Sequence, residues 1–308
     1  MLKSVVLTAA LLAATTFHQD LAWSHGVVGD YVFLEPIVTQ DPTPANELDI
    51  LQPSWAKTAD ANNYSIAFSM EKVLWLDGND MPRLSIGGGT NWSHLSPYHG
   101  PSLEGFDDLT LFAKYAFYYS VDHEFLMSTG AQLQLPTGNS DIEAQTHTSL
   151  GPLFLWEKGF GDLPSTAILK YLRPLGIQSD FGYVPALGGH TSHYMFADGV
   201  IEYSLPYLSN NVQDIGLKWP FRNMFLFNEI NYDQLITGPS RQTFPHLLAT
   251  PGIAYVGYHF ELAIATQLAL NNATVPENHA AVLGLVDVFY DSIIPKFGNW
   301  TINKGLAR

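Results

Sequence analysis

The 308-residue chain carries 14 Lys and Arg against 29 Asp and Glu, a formal net charge of −15, and no cysteine. So acidic a surface repels nucleic-acid phosphates, and the missing thiols exclude disulfides, thiolate metal centres and cysteine redox chemistry. Charged residues make up 14% and aromatics 13%, against about 25% charged in soluble domains, a balance that suits a lipid-facing band flanked by aromatic girdles.

Residues 1–24 read as an export signal peptide. Lys3 gives a positive start, an apolar run follows from Val5 to Ala14, and Ala22 and Ser24 hold the −3 and −1 places of a cleavage site. That run falls short of the roughly 20 apolar residues of a spanning helix, and no other stretch approaches that length. A closed β-barrel is the other structure that satisfies every backbone group in lipid. Cleavage after Ser24 leaves His25 first, where imidazole and free α-amino group together can chelate Cu(II), a metal that favours nitrogen donors. This is the metal candidate; the remaining histidines, such as His94 with His99 or His190 with His193, lie in loops without compact ligand spacing.

Residues 25–63, rich in Pro, Asp and Asn, read as a periplasmic N-terminal extension or lid. From Tyr64 to Asp291 the chain breaks into runs of about ten residues with period-two alternation, bounded by Gly, Pro, Asn or Asp, the pattern of barrel strands and their turns. The runs fall at 64–76, 83–95, 109–121, 125–135, 147–156, 166–177, 192–207, 220–236, 251–259, 261–271 and 280–290. Closed single-chain barrels prefer even counts, so the fold expected is all-β, an antiparallel transmembrane β-barrel of about 12 strands with ten as the alternative. The missing strand is sought in VVGDYVFLEPIV near the N-terminus or in a long loop. Residues 292–308 read as an irregular tail.

In the clearest run, Leu109, Leu111, Ala113, Tyr115, Phe117 and Tyr119 share one face, with Thr110, Phe112, Lys114, Ala116 and Tyr118 on the other. The first row is lipid-compatible and places the second in the lumen. The same alternation sends Lys114, Gln132, Gln134, Asp198, Glu202, Glu229, Gln267 and Asp287 inward as lumen-lining, solute-contacting residues. Lys114 is then a free positive charge in an acidic bore, dispensable for folding, and inward Phe112 and Tyr118 either line a route for aromatic compounds or fill the core.

Three stretches carry a family resemblance: LQLPTGNSD at 133–141, WEKGFGDLP at 156–164 with LRP at 172–174, and TPGIAYVGYHFELAIATQLALN at 250–271. They resemble the outer-membrane transporter family associated with the meta-cleavage pathway of phenol degradation. The resemblance implies an outer-membrane barrel that takes up hydrophobic or aromatic compounds, and it assigns no substrate residue.

The function expected is passive passage of small solutes through a narrow acidic lumen, without enzymatic activity or cofactor. The partners are outer-membrane lipid, the solute and the machinery that inserts barrels, with no nucleic acid. A barrel hydrolase with a catalytic cluster at its rim and a soluble secreted β-sandwich binding protein are the rivals. No G-x-S-x-G elbow marks an activated serine. N-terminal sequencing of the exported protein should read His25 first; any other start removes the copper site.

Overall fold

The computed structural model describes residues 26–139, 142, 147–185, 187, 193–238, 245–275 and 280–303. The signal peptide, His25 and its copper site lie outside the described residues, as does His190.

A small hairpin, β1 (Val27–Val28) and β2 (Tyr31–Val32), comes first. There follow β3 (Glu47–Lys57), β4 (Ala61–Leu76), β5 (Pro82–Pro97), β6 (Leu103–Phe106), β7 (Leu109–Ser120), β8 (Phe125–Leu135) and β9 (Ser149–Gly159). The remainder are β10 (Leu175–Val184), β11 (His193–Ser204), β12 (Met224–Thr237), β13 (His246–Val256), β14 (Phe260–Ala269) and β15 (Ala280–Val288). Antiparallel pairing runs strand to strand, and β15 returns to β3 with Val288 opposite Leu48 and Ala280 opposite Lys57. The barrel is therefore closed, with 12 long strands; among the described residues the short β6 pairs with β5 alone. Closure removes the free edges that would otherwise expose unpaired backbone to lipid.

The twelfth strand is β3, which corrects the expected boundary: residues 47–63 belong to the wall and not to the extension. Pro53 hid it, because a proline argues against a strand inside a sheet, as did a register shift between Asp49 and Gln52. On either side of that shift Glu47, Asp49, Ser54 and Ala56 turn inward while Leu48, Ile50, Leu51 and Trp55 turn out. The stretch VVGDYVFLEPIV supplies no wall strand; it holds the β1–β2 hairpin and lies inside the barrel. The run expected at 166–177 is likewise corrected. Leu169–Leu172 is a 3₁₀ turn and β10 begins at Leu175, directly after Pro174, which has no N–H to give to a ladder. The tail expected to be irregular holds two short helical turns, Tyr290–Ile293 and Pro295–Gly298.

Outward positions are apolar all round: Ile86, Leu111, Tyr115, Leu150, Phe154, Ile201, Leu226, Ile253, Ile264 and Val282 are all exposed. Water-facing proteins do not carry so extensive an apolar surface, so this exterior is built for lipid. Aromatics gather at both ends, with Trp55, Tyr64, Tyr98 and Phe106 at the loop end, where β3, β5 and β8 finish, and Trp75, Tyr118, Tyr171, Trp219 and Tyr258 at the turn end, which also carries the connections 160–174 and 205–223.

On β7 the alternation holds as far as Ala116. A bulge between Ala116 and Tyr118 then adds one residue, and the two following side chains exchange faces. Tyr118 consequently points outward and is exposed, while Tyr119 turns in and donates to the Val27 carbonyl at 2.7 Å. This reverses the assignment that alternation alone gives to both tyrosines. Phe112 does face inward, its ring lying over Gly87 where a Cβ would stand 2.2 Å from it.

Ala113, flanked by Ile86 and Ala131 on the outer face, gives a direct test of sidedness. Ala113→Arg should cost roughly 2–4 kcal/mol near the bilayer midplane, read as the shift in urea-dependent refolding into lipid vesicles.

Candidate functional site: a lumen closed by the N-terminal segment

Residues 26–46 pass inside the barrel, between strands that lie far from them in sequence. Tyr31 and Phe33 are fully buried with ring centroids 4.7 Å apart, and Tyr31 donates to the Pro174 carbonyl at 2.9 Å. Glycine makes this seat possible: a Cβ at Gly176 would stand 2.8 Å from Tyr31, and one at Gly159 2.9 Å. Leu34 packs on inward Val200, Phe225, Phe227, Ala254, Val256 and Leu285.

Beyond Leu34 the segment is irregular, and its N–H groups are satisfied by carboxylates of the wall. Leu34 N–H donates to Glu202 (3.3 Å), Glu35 N–H to Glu261 (3.2 Å), and Ile37, Val38 and Thr39 N–H all converge on Glu229 (2.9, 3.1 and 2.7 Å). Gln40 N–H donates to Asp180 at 3.0 Å and Ala45 N–H to Glu71 at 3.1 Å. The Thr43 hydroxyl donates to Glu157 at 2.6 Å. Segment carbonyls find donors too, from Ser128 to Pro42 at 2.6 Å and from Gln178 to Leu34 at 2.8 Å.

Lys114 is not a free cation. Its ammonium lies 2.8 Å from Glu71 and donates to the carbonyls of Asp41 (2.8 Å) and Thr43 (3.1 Å), with the side chain 3% exposed. Of the other inward residues expected from alternation, Glu202 and Glu229 hold the segment as described. Gln132 accepts from the Gln40 side chain at 3.1 Å, and Gln134 donates to Asp108 at 3.3 Å. Asp198 accepts from Tyr232 N–H, Gln267 donates to Thr250, and Asp287 is fully buried. Glu261, Asp287 and Asp49 stand directly opposite one another across β14, β15 and β3, a lateral run of like charges that is unfavourable without compensation.

Sequence reasoning missed Glu35, Asp41, Glu47, Asp49, Glu71, Glu157, Asp180 and Glu261. Strict alternation after Tyr64 would have added Glu71, Glu157, Asp180 and Glu261, each with an apolar neighbour on at least one side: Met70, Trp156, Phe181, and Phe260 with Leu262. Above the segment, toward the loop end where β5 and β8 finish, is a cavity of about 310 Å³ lined by residues that include Glu35, Asp41, Glu47, Asp49, Gln52, Asn91, Phe112, Lys114 and Gln134.

The opposite rim is fixed by charged turns. In the turn after β4, desolvation opposes ionisation of Asp77, but Asn79 N–H, Arg83 and Met81 N–H outweigh it and hold the carboxyl below its ordinary value. In the β7–β8 turn burial pushes Glu124 above its ordinary range, opposed by hydrogen bonds from Gly161 N–H and Tyr207.

No protein-family model matches the chain, and no curated protein matches it. Its structure is similar to the crystal structure of the COG4313 outer membrane channel from Pseudomonas putida F1. The TM-score is 0.58 at 12% identity, over 83% of this chain and 100% of that one. The fold is that of an outer-membrane barrel. Fainter likenesses are the NanC porin, at TM-score 0.47 and 10% identity over 79% of this chain and 98% of that one, and the KdgM porin in complex with disordered oligogalacturonate, at 0.43 and 8% over 78% and 97%. Both are too remote to carry an argument.

The ion pair yields a test of the lumen. Lys114→Met leaves Glu71 buried without its cationic partner, with only Ala45 N–H still donating to it, and should cost about 3–5 kcal/mol, and adding Glu71→Gln should recover much of that loss. Urea titration of the single and double variants in lipid vesicles measures the coupling.

Proposed function

We propose that the protein is an outer-membrane channel for small solutes, closed at rest by its own N-terminal segment and opened when that segment moves. The observation that carries this reading is the way the segment is held. It is tied to the wall through backbone N–H groups and side-chain carboxylates, with no long strand pairing, and above it a polar cavity faces the loops. A wall of carboxylates attracts cations and excludes anions by its field, so the solutes favoured are uncharged or cationic. The resemblance of the turn motifs to transporters of the phenol meta-cleavage pathway adds aromatic compounds as a solute class, with Phe112 the inward ring beside the cavity. Lumen contacts by Gln132 and Gln134 above the segment are part of this proposal, as are the cleaved signal peptide and delivery by the insertion machinery.

The hydrolase reading finds its nearest footing in His259 and Ser292, whose Nδ1 and Oγ lie 2.7 Å apart at the turn end. The Ser292 hydroxyl donates to the Phe289 carbonyl at 2.6 Å, so its proton is engaged in a turn and the ring nitrogen is left as the donor. That geometry caps a turn and does not activate a nucleophile.

The chain has no cysteine, so paired thiols can be introduced cleanly. Gln40→Cys with Gln132→Cys, joined by a short bifunctional thiol crosslinker, should hold the segment against the wall and abolish openings in planar bilayers, while each single variant treated with the same crosslinker still opens. Unchanged conductance in the crosslinked protein would show that the segment does not gate passage.

A further inference from the structure

Most carboxylates that face the N-terminal segment are anchored by donors from it. Two acidic side chains beside the cavity differ. Neither carboxylate of Glu35 or Glu47 receives a hydrogen bond at either oxygen among the described residues, and their Oε2 atoms are buried, with the residues only 9% and 5% exposed. Glu157, Asp180, Glu202 and Glu261 also leave one oxygen unpartnered, but the segment donates to the other. Asp49, on the same cavity wall, leaves its buried Oδ1 unpartnered, while its Oδ2 accepts from the Ser69 hydroxyl. Glu35, Asp41 and Glu47 each bring one carboxylate oxygen to a common point, all within 4.8 Å of one another. Lys114 is already engaged by Glu71 and two carbonyls.

We propose that Glu35, Asp41 and Glu47 form a calcium site that ties the N-terminal segment to the barrel wall. Calcium takes oxygen ligands at about 2.3–2.6 Å, so any two oxygens on one ion stand no more than about 5 Å apart, a limit that the three carboxylate oxygens meet. Magnesium binds at about 2.0–2.1 Å, demands near-octahedral geometry and keeps its waters, a poorer match to three convergent carboxylates. The ion reduces the repulsion within the cluster and supplies the buried oxygens of Glu35 and Glu47 with the partner they lack, while Asp41 also accepts from Thr43 N–H at 3.0 Å. Glu35 and Asp41 sit on the segment and Glu47 opens β3, so the ion bridges plug and wall. The cavity that all three line gives it a path from the loop side. The site stands on this geometry alone and does not depend on whether the barrel conducts.

The test uses the full mature chain folded in detergent and stripped with a chelator, then titrated with calcium chloride by calorimetry and by thermal unfolding. One calcium ion per chain and a higher thermal midpoint are expected, with magnesium chloride weaker. Loss of even an outer-shell partner costs about 10–100-fold in metal affinity, so Glu35→Gln and Glu47→Gln should each weaken binding at least that much. Glu104→Gln, at an exposed position on β6, should bind as wild type. Heat-dependent migration on denaturing gels confirms that each variant is a closed barrel, and the wild-type titration stands without any variant. Absence of binding, binding that survives Glu47→Gln, or magnesium binding as tightly as calcium would overturn the site.

Discussion

A peptide that runs irregularly through the interior of a membrane barrel has no ladder to receive its N–H groups, and each one left unpaired costs about 1–3 kcal/mol. Residues 34–45 meet this requirement with carboxylates from five different strands. Ionised carboxylates are acceptors only, and each can take several donors, as Glu229 does with three successive N–H groups. The acidity of the inner wall is thus first a structural device, a set of acceptors for a strandless backbone. The charge available to a passing solute is what that device leaves over.

The same constraint explains where the lumen is full and where it is open. Tyr31, Phe33 and Leu34 fill the end nearest the turns with apolar contacts, which need no polar partner. Gln40 marks the deepest reach of the segment, beside Gln132 and Asp180, and the chain then returns toward β3. The cavity begins where the segment turns back. Its wall mixes amide, carboxylate and aromatic groups, a lining able to meet small molecules of mixed polarity.

Much of the wall was legible in the sequence because lipid outside and polar groups inside impose a strict period of two. Leu109 to Ala116 shows that period without interruption, and Lys114 was placed inward from it. The limits of the reading have equally local causes. One extra residue at the β7 bulge exchanges Tyr118 and Tyr119, and no residue type signals it. Pro53 masks β3, where the loss of a donor is tolerated within a wall strand. Residues 166–174 imitate alternation, yet Pro174 delays the strand until Leu175. The segment itself left almost no periodic signal, because its order comes from partners such as Glu202, Glu229 and Glu261, which lie 168 to 226 residues away. Pairing with Lys114 was invisible for the same reason: alternation reports the face of a residue and not what it meets there.

Those separations bear on how the molecule is made. The segment leaves the ribosome ahead of the wall that must receive it, yet its acceptors span the chain as far as β14. It cannot dock until most strands are in place, and the seam between β3 and β15 brings the two ends of the barrel together just beside its return path. Contacts of such range form late. Until then the apolar run Tyr31–Leu34 lacks its seat, and Gly29 and Asp30 before it with Glu35 and Pro36 after it keep that run to four residues.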